Sequence, residues 1–324
     1  MKIFITGGTG FIGTHLLERL AETEHQAHCL VRKNSNLVNI EKFDASYVIG
    51  DITDKQSLLE GMKGCDWAVN LANVYTMWEP DKQIYRKINV EGTKNVMEAA
   101  LERGIAKVIH VSTNAIYGKP EEVPFTEEST VGPTRFSEYA RSKYAGDLIA
   151  WELYEEEGLP LVVIYPGVVL GHGDPKASGT YINDLIHKRL PATAFNDSTL
   201  TYVYVKDVAE VILKALEKQN NIGEKYLVGK HCLTYREYNQ LISEISGVPL
   251  PRMSFPNFFT LINATFTTGL ASLTKKPPIW GLSLELARSN ITGQVFDGSK
   301  AERELGITYT PIRVALEETI ASFR

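Results

Sequence analysis

The 324-residue sequence lacks the features that mark several classes of protein. It has three cysteines, widely spaced and odd in number (Cys29, Cys65 and Cys232), so we expect neither a disulfide framework nor a cysteine metal site. Its seven histidines show no paired spacing typical of metal ligands. The net charge of −5 provides no basic surface for nucleic acid. We therefore expect no bound metal and no nucleic-acid partner.

Long apolar runs and an N-terminal leader are also missing. Residue 2 already begins a strand pattern, so we expect no cleaved signal peptide. The most membrane-like stretch, residues 255–274, is interrupted by Asn257, Asn263 and several threonines. It is too polar for a membrane span, and a buried helix or a lid is expected there instead. Together with the unpaired cysteines, these absences predict a cytoplasmic protein.

Strand and helix patterns alternate through the first half of the chain. Short apolar runs predict strands at residues 2–5, 26–31, 46–49, 67–71, 107–111 and 161–165, and long helical patterns occupy 84–103 and 138–157. Continuous apolar strands separated by helices are typical of an α/β fold with a parallel sheet covered on both faces. Such doubly wound sheets bind ligands beyond the carboxyl ends of their strands.

The pattern changes after Pro166. Helical patterns dominate the second half, including residues 205–218 and 234–246. We predict a nucleotide-binding domain at residues 1–170, with segments at about 200–230 and 293–300 returning to it. Residues 171–324 are predicted to form a smaller, mainly helical substrate-binding lobe.

Glycines at positions 7, 10 and 13 form the turn between the first strand and the first helix. A glycine turn lets the backbone approach a diphosphate and directs N–H groups of the helix N-terminus at its charge. The spacing G-x-x-G-x-x-G differs from the dinucleotide fingerprint G-x-G-x-x-G. The strand, turn and helix together predict a bound nucleotide.

A tyrosine and a lysine four residues apart, Tyr139 and Lys143, lie on one face of the helix predicted at 138–157. A free phenol has a pKa near 10 and carries protons poorly at neutral pH, but a nearby cation lowers that pKa. Tyr139 is therefore a candidate general acid and base. Thr113 and Asn114 follow the fifth strand. Their side chains should therefore lie at the carboxyl edge of the sheet, beside the proposed nucleotide.

The order of these motifs resembles that of the extended short-chain dehydrogenase/reductases, the NAD-dependent epimerase/dehydratase family. The resemblance rests on the glycine turn at 6–13, the tetrapeptide at 70–73, the Tyr139–Lys143 pair and the segment at 299–306. The loop at 75–78 and the segment at 88–93 are similar to bacterial proteins of the dihydroflavonol 4-reductase type and to proteins called hopanoid-associated sugar epimerases. The resemblance implies a Rossmann-type doubly wound sheet with a smaller substrate lobe.

The resemblance also implies roles for individual residues. Tyr139 exchanges a proton with the substrate oxygen, Lys143 holds the nicotinamide ribose and lowers the pKa of Tyr139, and Thr113 fixes the substrate carbonyl. The residues expected to contact the cofactor are Gly7, Thr9, Gly10, Phe11, Ile12, Asp51, Ile52, Leu71, Ala72, Asn73, Pro166, Gly167 and Val168, together with Tyr139 and Lys143. Tyr75, Trp78 and Asn114 are candidate substrate contacts.

The end of the second strand bears on the choice between NAD and NADP. An acidic residue there accepts hydrogen bonds from the ribose hydroxyls of NAD, whereas an arginine suits the 2′-phosphate of NADP. This strand ends in Val31, Arg32 and Lys33, and the planar guanidinium matches a phosphate well. We predict NADP as the cofactor, with NAD as the alternative.

Three functions remain open from the sequence. The leading hypothesis is an NADP-dependent oxidoreductase that reduces a ketone or aldehyde or oxidises a secondary alcohol. The second is a sugar-nucleotide epimerase or dehydratase that recycles its cofactor within each turnover. The third is a cofactor-binding scaffold or redox sensor without turnover, against which the intact Thr113, Tyr139 and Lys143 argue. The partner is thus a carbonyl compound or a sugar nucleotide.

A homodimer is predicted by analogy, because relatives often pair through the helices that correspond to 84–103 and 138–157. Ile149, Trp151, Leu153 and Tyr154 are the candidate contact residues, although the same side chains fit burial against the sheet.

Overall fold

The computed structural model of the protein describes residues 1–174 and 176–324. Its strands are β1 Lys2–Thr6, β2 Gln26–Val31, β3 Ser46–Ile49, β4 Trp67–Asn70, β5 Lys107–Val111, β6 Leu161–Pro166, β7 Val168–Leu170, β8 Ala192–Ala194, β9 Thr199–Tyr204, β10 Lys225–Val228, β11 His231–Thr234 and β12 Met253–Phe255. Its α-helices are α1 Phe11–Leu20, α2 Val38–Lys42, α3 Lys55–Gly61, α4 Gln83–Tyr85, α5 Thr93–Glu102, α6 Glu138–Glu157, α7 Ala177–Ile186, α8 Val205–Glu217, α9 Tyr235–Ser246, α10 Asn257–Thr274, α11 Leu284–Thr292, α12 Ser299–Leu305 and α13 Ile312–Ala321.

Seven parallel strands form the central sheet, in the order β3-β2-β1-β4-β5-β6-β10. The order reverses direction between β1 and β4, which opens a crevice at the carboxyl ends of these strands. Strands β5 and β6 are buried along their whole length because helices cover both faces of the sheet. The predicted doubly wound, Rossmann-type α/β fold is confirmed.

Helix α6 has the bounds that the sequence pattern predicts. Its N-cap Ser137 accepts a hydrogen bond from the backbone N–H of Ala140, and Gly158, at φ +74°, ends it in the left-handed conformation. Both are common helix-end signals. The helix therefore holds Tyr139 and Lys143 at its first turns, against the carboxyl edge of the sheet.

The helical pattern at 84–103 contains a turn that the sequence does not predict. Between α4 and α5, residues Arg86–Gly92 form a π-helix. The side chain of Asn89 in this turn accepts from the N–H of Val74 at 2.7 Å and donates to the carbonyl of Val74 at 3.1 Å and to the hydroxyl of Ser142 at 2.9 Å. The wider turn thereby fixes the loop after β4 against α6, and such turns often lie at functional sites.

The second half of the chain adds two small sheets, β11-β9-β7 and β12-β8, and strand β10 joins the central sheet. We retain the two-part division of the chain as our proposal.

The candidate dimer residues on α6 pack against the core of the same chain: Leu153 is buried, and Ile149, Trp151 and Tyr154 are partly buried. The homodimer thus stays a prediction.

Of the two expectations for 255–274, a buried helix or a lid, the first is wrong for helix α10, and the lid stays a prediction. Its buried residues are small (Thr260, Ala264, Thr267 and Ala271), whereas Phe258, Phe266 and Leu273 are 69%, 69% and 84% exposed. Within the described residues, no helix is both long and apolar enough to cross a membrane.

Candidate active site

One cavity of about 1020 Å³ lies over the carboxyl ends of the central strands and extends into the second half of the chain. Thr113, Tyr139, Tyr75 and Asn114 line it, whereas Lys143 and Trp78 are not among its lining residues. The other predicted cofactor contacts also line it: Gly7, Thr9, Gly10, Phe11, Ile12, Arg32, Asp51, Ile52, Leu71, Ala72, Asn73, Pro166, Gly167 and Val168. The structure therefore brings these predicted positions to one place.

The glycine turn is closed by backbone contacts that leave no room for side chains. The N–H of Gly10 donates to the carbonyl of Gly7 at 2.9 Å, and Gly7 has φ +74°. A Cβ on Gly13 would lie 2.3 Å from the carbonyl oxygen of Gly7. Helix α1 begins here without a side-chain cap, so its first N–H groups are available to an anion. The turn fits the diphosphate of a dinucleotide.

Arg32 and Ser35 form a turn at the end of β2. The N–H of Arg32 donates to the hydroxyl of Ser35 at 3.1 Å, and the N–H of Ser35 donates to the carbonyl of Arg32 at 2.9 Å. Both residues line the cavity, and Arg32 is exposed. The carboxylate of Asp51, at the end of β3, accepts hydrogen bonds from the N–H and the hydroxyl of Thr53. A guanidinium and a hydroxyl thus border the cavity at the end of β2.

Tyr139 is buried beside two other candidate residues. It lines the same cavity as Thr113, and its ring packs edge-on against Tyr75 with 5.1 Å between centroids. Burial raises the pKa of Tyr139 well above its usual value, the neighbouring Tyr75 raises it further, and the hydroxyl of Thr113 lowers it. The phenol is therefore held in its protonated form, and burial makes it a weaker acid than a free tyrosine.

Lys143 lies one helical turn further along α6. Its Nζ donates to the carbonyl of Val111 at 3.0 Å, and the side chain is 1% exposed. Burial lowers the pKa of Lys143 to about 8, against a raising effect of Asp147. The expected lowering of the Tyr139 pKa by Lys143 is not found, because burial dominates and Thr113 is the group that lowers this pKa.

The sequence profile of the NAD dependent epimerase/dehydratase family matches residues 3–229 of this chain. The chain belongs to this family. It is an NAD(P)-dependent enzyme, as the oxidoreductases, epimerases and dehydratases among its relatives are.

Individual relatives cover the whole chain. A putative dihydroflavonol 4-reductase of Synechocystis sp. is 28% identical over 99% of this chain and 94% of its own. The crystal structure of the protein gox2253 is 32% identical, with a TM-score of 0.86 over 99% of this chain and 97% of that one. The Thermus thermophilus UDP-glucose 4-epimerase in complex with NAD has a TM-score of 0.78 at 24% identity, over 100% of this chain and 99% of that one; this likeness shows the fold.

A chain of buried polar side chains crosses the central sheet behind the candidate active site of this family member. Strand register aligns Thr6 with Asn70 and Asn70 with His110. The hydroxyl of Thr6 donates to Oδ1 of Asn70 at 2.6 Å, Nδ2 of Asn70 lies 3.2 Å from Nδ1 of His110, and Nε2 of His110 lies 3.1 Å from Oδ1 of Asp147. His110 is therefore a buried histidine whose two ring nitrogens lie against Asn70 and Asp147, and it does not line the cavity.

Several cavity residues are absent from the sequence-based predictions. Asp174 is buried, lines the cavity and accepts from the N–H groups of Lys176 and Gly179. Burial raises the pKa of its carboxyl group. No motif marks this residue in the sequence, although an Asp shortly before a helix is a common capping signal.

An aromatic group forms the far wall of the cavity: Tyr181, Phe195, Tyr202, Tyr235 and Tyr238. The rings of Tyr202 and Tyr238 stack with 4.7 Å between centroids. Their buried hydroxyls have no hydrogen-bond partner among the described residues. The sequence could not reveal this wall, because its members come from four separate elements and loops.

No group of three or more His, Cys, Asp or Glu side chains that fits a metal ion occurs in the part of the chain that the structure describes.

Proposed function

We propose that this protein is an NADP-dependent oxidoreductase that reduces a ketone or aldehyde, or oxidises a secondary alcohol. The observation that carries the proposal is the shared cavity, which Tyr139 and Thr113 line together with the residues of the glycine turn. A proton donor beside a nucleotide cradle is what carbonyl reduction requires.

In this mechanism each residue has one task. A bound nicotinamide cofactor supplies the hydride in reduction and accepts it in oxidation. Tyr139 gives its proton to the carbonyl oxygen as negative charge develops there, and the hydroxyl of Thr113 holds the same oxygen. Lys143, anchored to the carbonyl of Val111, would hold the ribose of the cofactor. The aromatic wall excludes water from the reacting atoms.

The charges of the cavity favour a neutral substrate over a sugar nucleotide. Among the described residues that line the cavity, Arg32 and Lys176 are the only lysines or arginines, and Arg32 borders the cofactor end. The strongest partners of a diphosphate are cationic side chains, and away from Arg32 the described lining of the cavity has one of them, Lys176, close to the carboxylate of Asp174. Strand β6 ends in Ile164, Tyr165 and Pro166. The family resemblance indicates that many sugar-nucleotide enzymes carry an arginine before this proline, and this chain has a tyrosine there.

The experiment that tests this function begins with the cofactor released on denaturation. The protein is then incubated with carbonyl compounds and with sugar nucleotides while NADPH absorbance is followed. We expect loss of one NADPH for each carbonyl reduced. Product formation from a sugar nucleotide without net change in cofactor would instead establish the epimerase alternative, and no turnover with any compound would favour the scaffold alternative.

Arg32 is expected to determine the cofactor. Substitution Arg32→Ala removes the guanidinium at the cavity edge, so the Kd for NADPH should rise by about 10- to 100-fold, as for the loss of a charge-assisted phosphate contact. The Kd for NADH should change little, because NADH has no 2′-phosphate. Binding is measured by quenching of protein fluorescence, with Lys33→Ala as the matched control. Equal losses for both cofactors would rule out a phosphate contact by Arg32.

A further inference from the structure

The outward side of α10 carries an unusual set of side chains. Six large apolar residues are exposed there, and we call them the outer face of α10: Phe258, Phe259, Ile262, Phe266, Leu270 and Leu273. At about 100° per residue, they occupy roughly 120° of the helix circumference. Their exposed fractions run from 39% to 84%. They form one continuous apolar stripe rather than scattered surface residues.

Packing against the rest of the protein fixes this orientation. The opposite side of the helix consists of small residues that are buried, and the hydroxyl of Thr267 donates to the carbonyl of Leu282 at 2.6 Å. The hydroxyl of Thr268 accepts from the N–H of Leu284 at 2.8 Å. A surface helix normally turns its large apolar residues toward the core. Here the small residues take that place, so the large ones must face outward.

The apolar surface continues beyond the helix ends. Met253 in β12 is 55% exposed, and Ile279 and Trp280 in the turn after α10 are 45% and 56% exposed. Phenylalanine and tryptophan rings beside cationic side chains are typical of proteins that rest in the headgroup layer of a bilayer.

The charged residues between Glu244 and Glu285, the segment that contains α10, have one sign. Residues 245–284 contain Arg252, Lys275 and Lys276 and no Asp or Glu, a net charge of +3 in a chain whose total is −5. All three cations are exposed, and none forms an ion pair with a carboxylate of the described chain. They flank the two ends of the outer face of α10. This arrangement complements a negatively charged surface.

We propose that the outer face of α10 docks on the surface of an anionic lipid bilayer, with the helix lying in the headgroup layer. Apolar side chains enter the lipid while Arg252, Lys275 and Lys276 contact the phosphates. A second copy of the chain is disfavoured as the occupant. An antiparallel pairing of two such helices would bring lysines against Arg252, and a parallel pairing would bring lysines against lysines.

Docking would bring the cavity to the lipid. Thr260, Asn263 and Thr267 of α10 line the cavity, as does Trp280, so the helix separates the cavity from the docked surface. The substrate class that follows is a carbonyl compound that partitions into the bilayer. This consequence rests on the proposed oxidoreductase function, whereas the docking itself does not.

Vesicle sedimentation without substrate tests the docking. The full chain is mixed with vesicles of phosphatidylcholine alone or of phosphatidylcholine with phosphatidylglycerol, and the bound fraction is measured. We expect binding to the anionic vesicles. The triple variant Phe258→Ser, Phe266→Ser, Leu273→Ser should lower the partition coefficient by about tenfold or more, because the buried apolar area is lost. The double variant Lys275→Gln, Lys276→Gln should lower the preference for anionic vesicles by about tenfold.

The matched control is the triple variant Val38→Ser, Ile49→Ser, Ile222→Ser, which removes exposed apolar side chains elsewhere (64%, 62% and 47% exposed) and should bind vesicles as the parent does. Circular dichroism and thermal unfolding verify that each variant is folded. Absence of binding to anionic vesicles, or equal binding by the α10 variant and the parent, would overturn the proposal. A dimer that dissociates in the α10 variant, without vesicle binding by the parent, would assign the face to a second copy. Since no turnover is measured, failure of the oxidoreductase proposal would leave these outcomes unchanged.

Discussion

Substitution Tyr139→Phe is expected to lower kcat for carbonyl reduction by about 10²- to 10⁴-fold, the usual contribution of a positioned general acid. The phenyl ring preserves the edge-on contact with Tyr75 at 5.1 Å, and the substitution removes only the hydroxyl. Affinity for NADPH should therefore stay within a few fold of the parent. Steady-state oxidation of NADPH and equilibrium fluorescence quenching measure the two quantities separately.

The same chemical change at Tyr117 provides the control. Tyr117 is buried, does not line the cavity, and donates to the carbonyl of Glu127 at 3.3 Å. Tyr117→Phe should cost about 1 kcal/mol of stability for the lost hydrogen bond and leave kcat nearly unchanged. Full activity of Tyr139→Phe would show that another group donates the proton. Loss of NADPH binding by that variant would instead indicate a structural role for the hydroxyl.

The pKa of Tyr139 illustrates what a sequence can and cannot predict about a site. The spacing of Tyr139 and Lys143 predicts their common helix face, because helix geometry depends on spacing alone. The direction of the pKa shift depends on burial and on which donor reaches the phenol. Tyr75 and Thr113, from two other segments, determine both. Such contacts arise only when the sheet brings distant segments together.

In the fold, too, local patterns predict some elements, whereas tertiary contacts determine others. Apolar runs predict six strands of the central sheet and α6 closely, since burial on both faces leaves a strong local pattern. The π-turn at Arg86–Gly92 leaves no local pattern, because the side chain of Asn89 stabilises it through bonds to Val74 and Ser142. Helix α10 is a helix by pattern, yet its exposed apolar side follows from the close packing of its small residues. Tertiary contacts therefore account for the departures from the sequence-based expectation.

The other large effect is expected from a substitution in the glycine turn, on the affinity for NADPH. In Gly13→Ala, the added Cβ would lie 2.3 Å from the carbonyl oxygen of Gly7 and 2.7 Å from Cα of Gly8. These are backbone atoms that cannot rotate away, so the start of α1 must move from the end of β1, which misdirects its N–H groups. We expect the Kd for NADPH to rise by about 100-fold, equivalent to roughly 3 kcal/mol, with a stability cost of about 1–3 kcal/mol from overpacking.

Gly269→Ala is the matched control, because a Cβ at Gly269 meets open space and the residue lies inside α10. Replacing a helical glycine by alanine there should raise stability by up to about 1 kcal/mol and leave NADPH binding unchanged. Calorimetry of both variants gives Tm and Kd. The clash in Gly13→Ala involves only backbone atoms of the turn. The loss in free energy of NADPH binding should therefore equal or exceed the loss in free energy of unfolding. Parent-like NADPH affinity in Gly13→Ala would mean that the diphosphate does not depend on this turn and would place the cofactor elsewhere in the cavity.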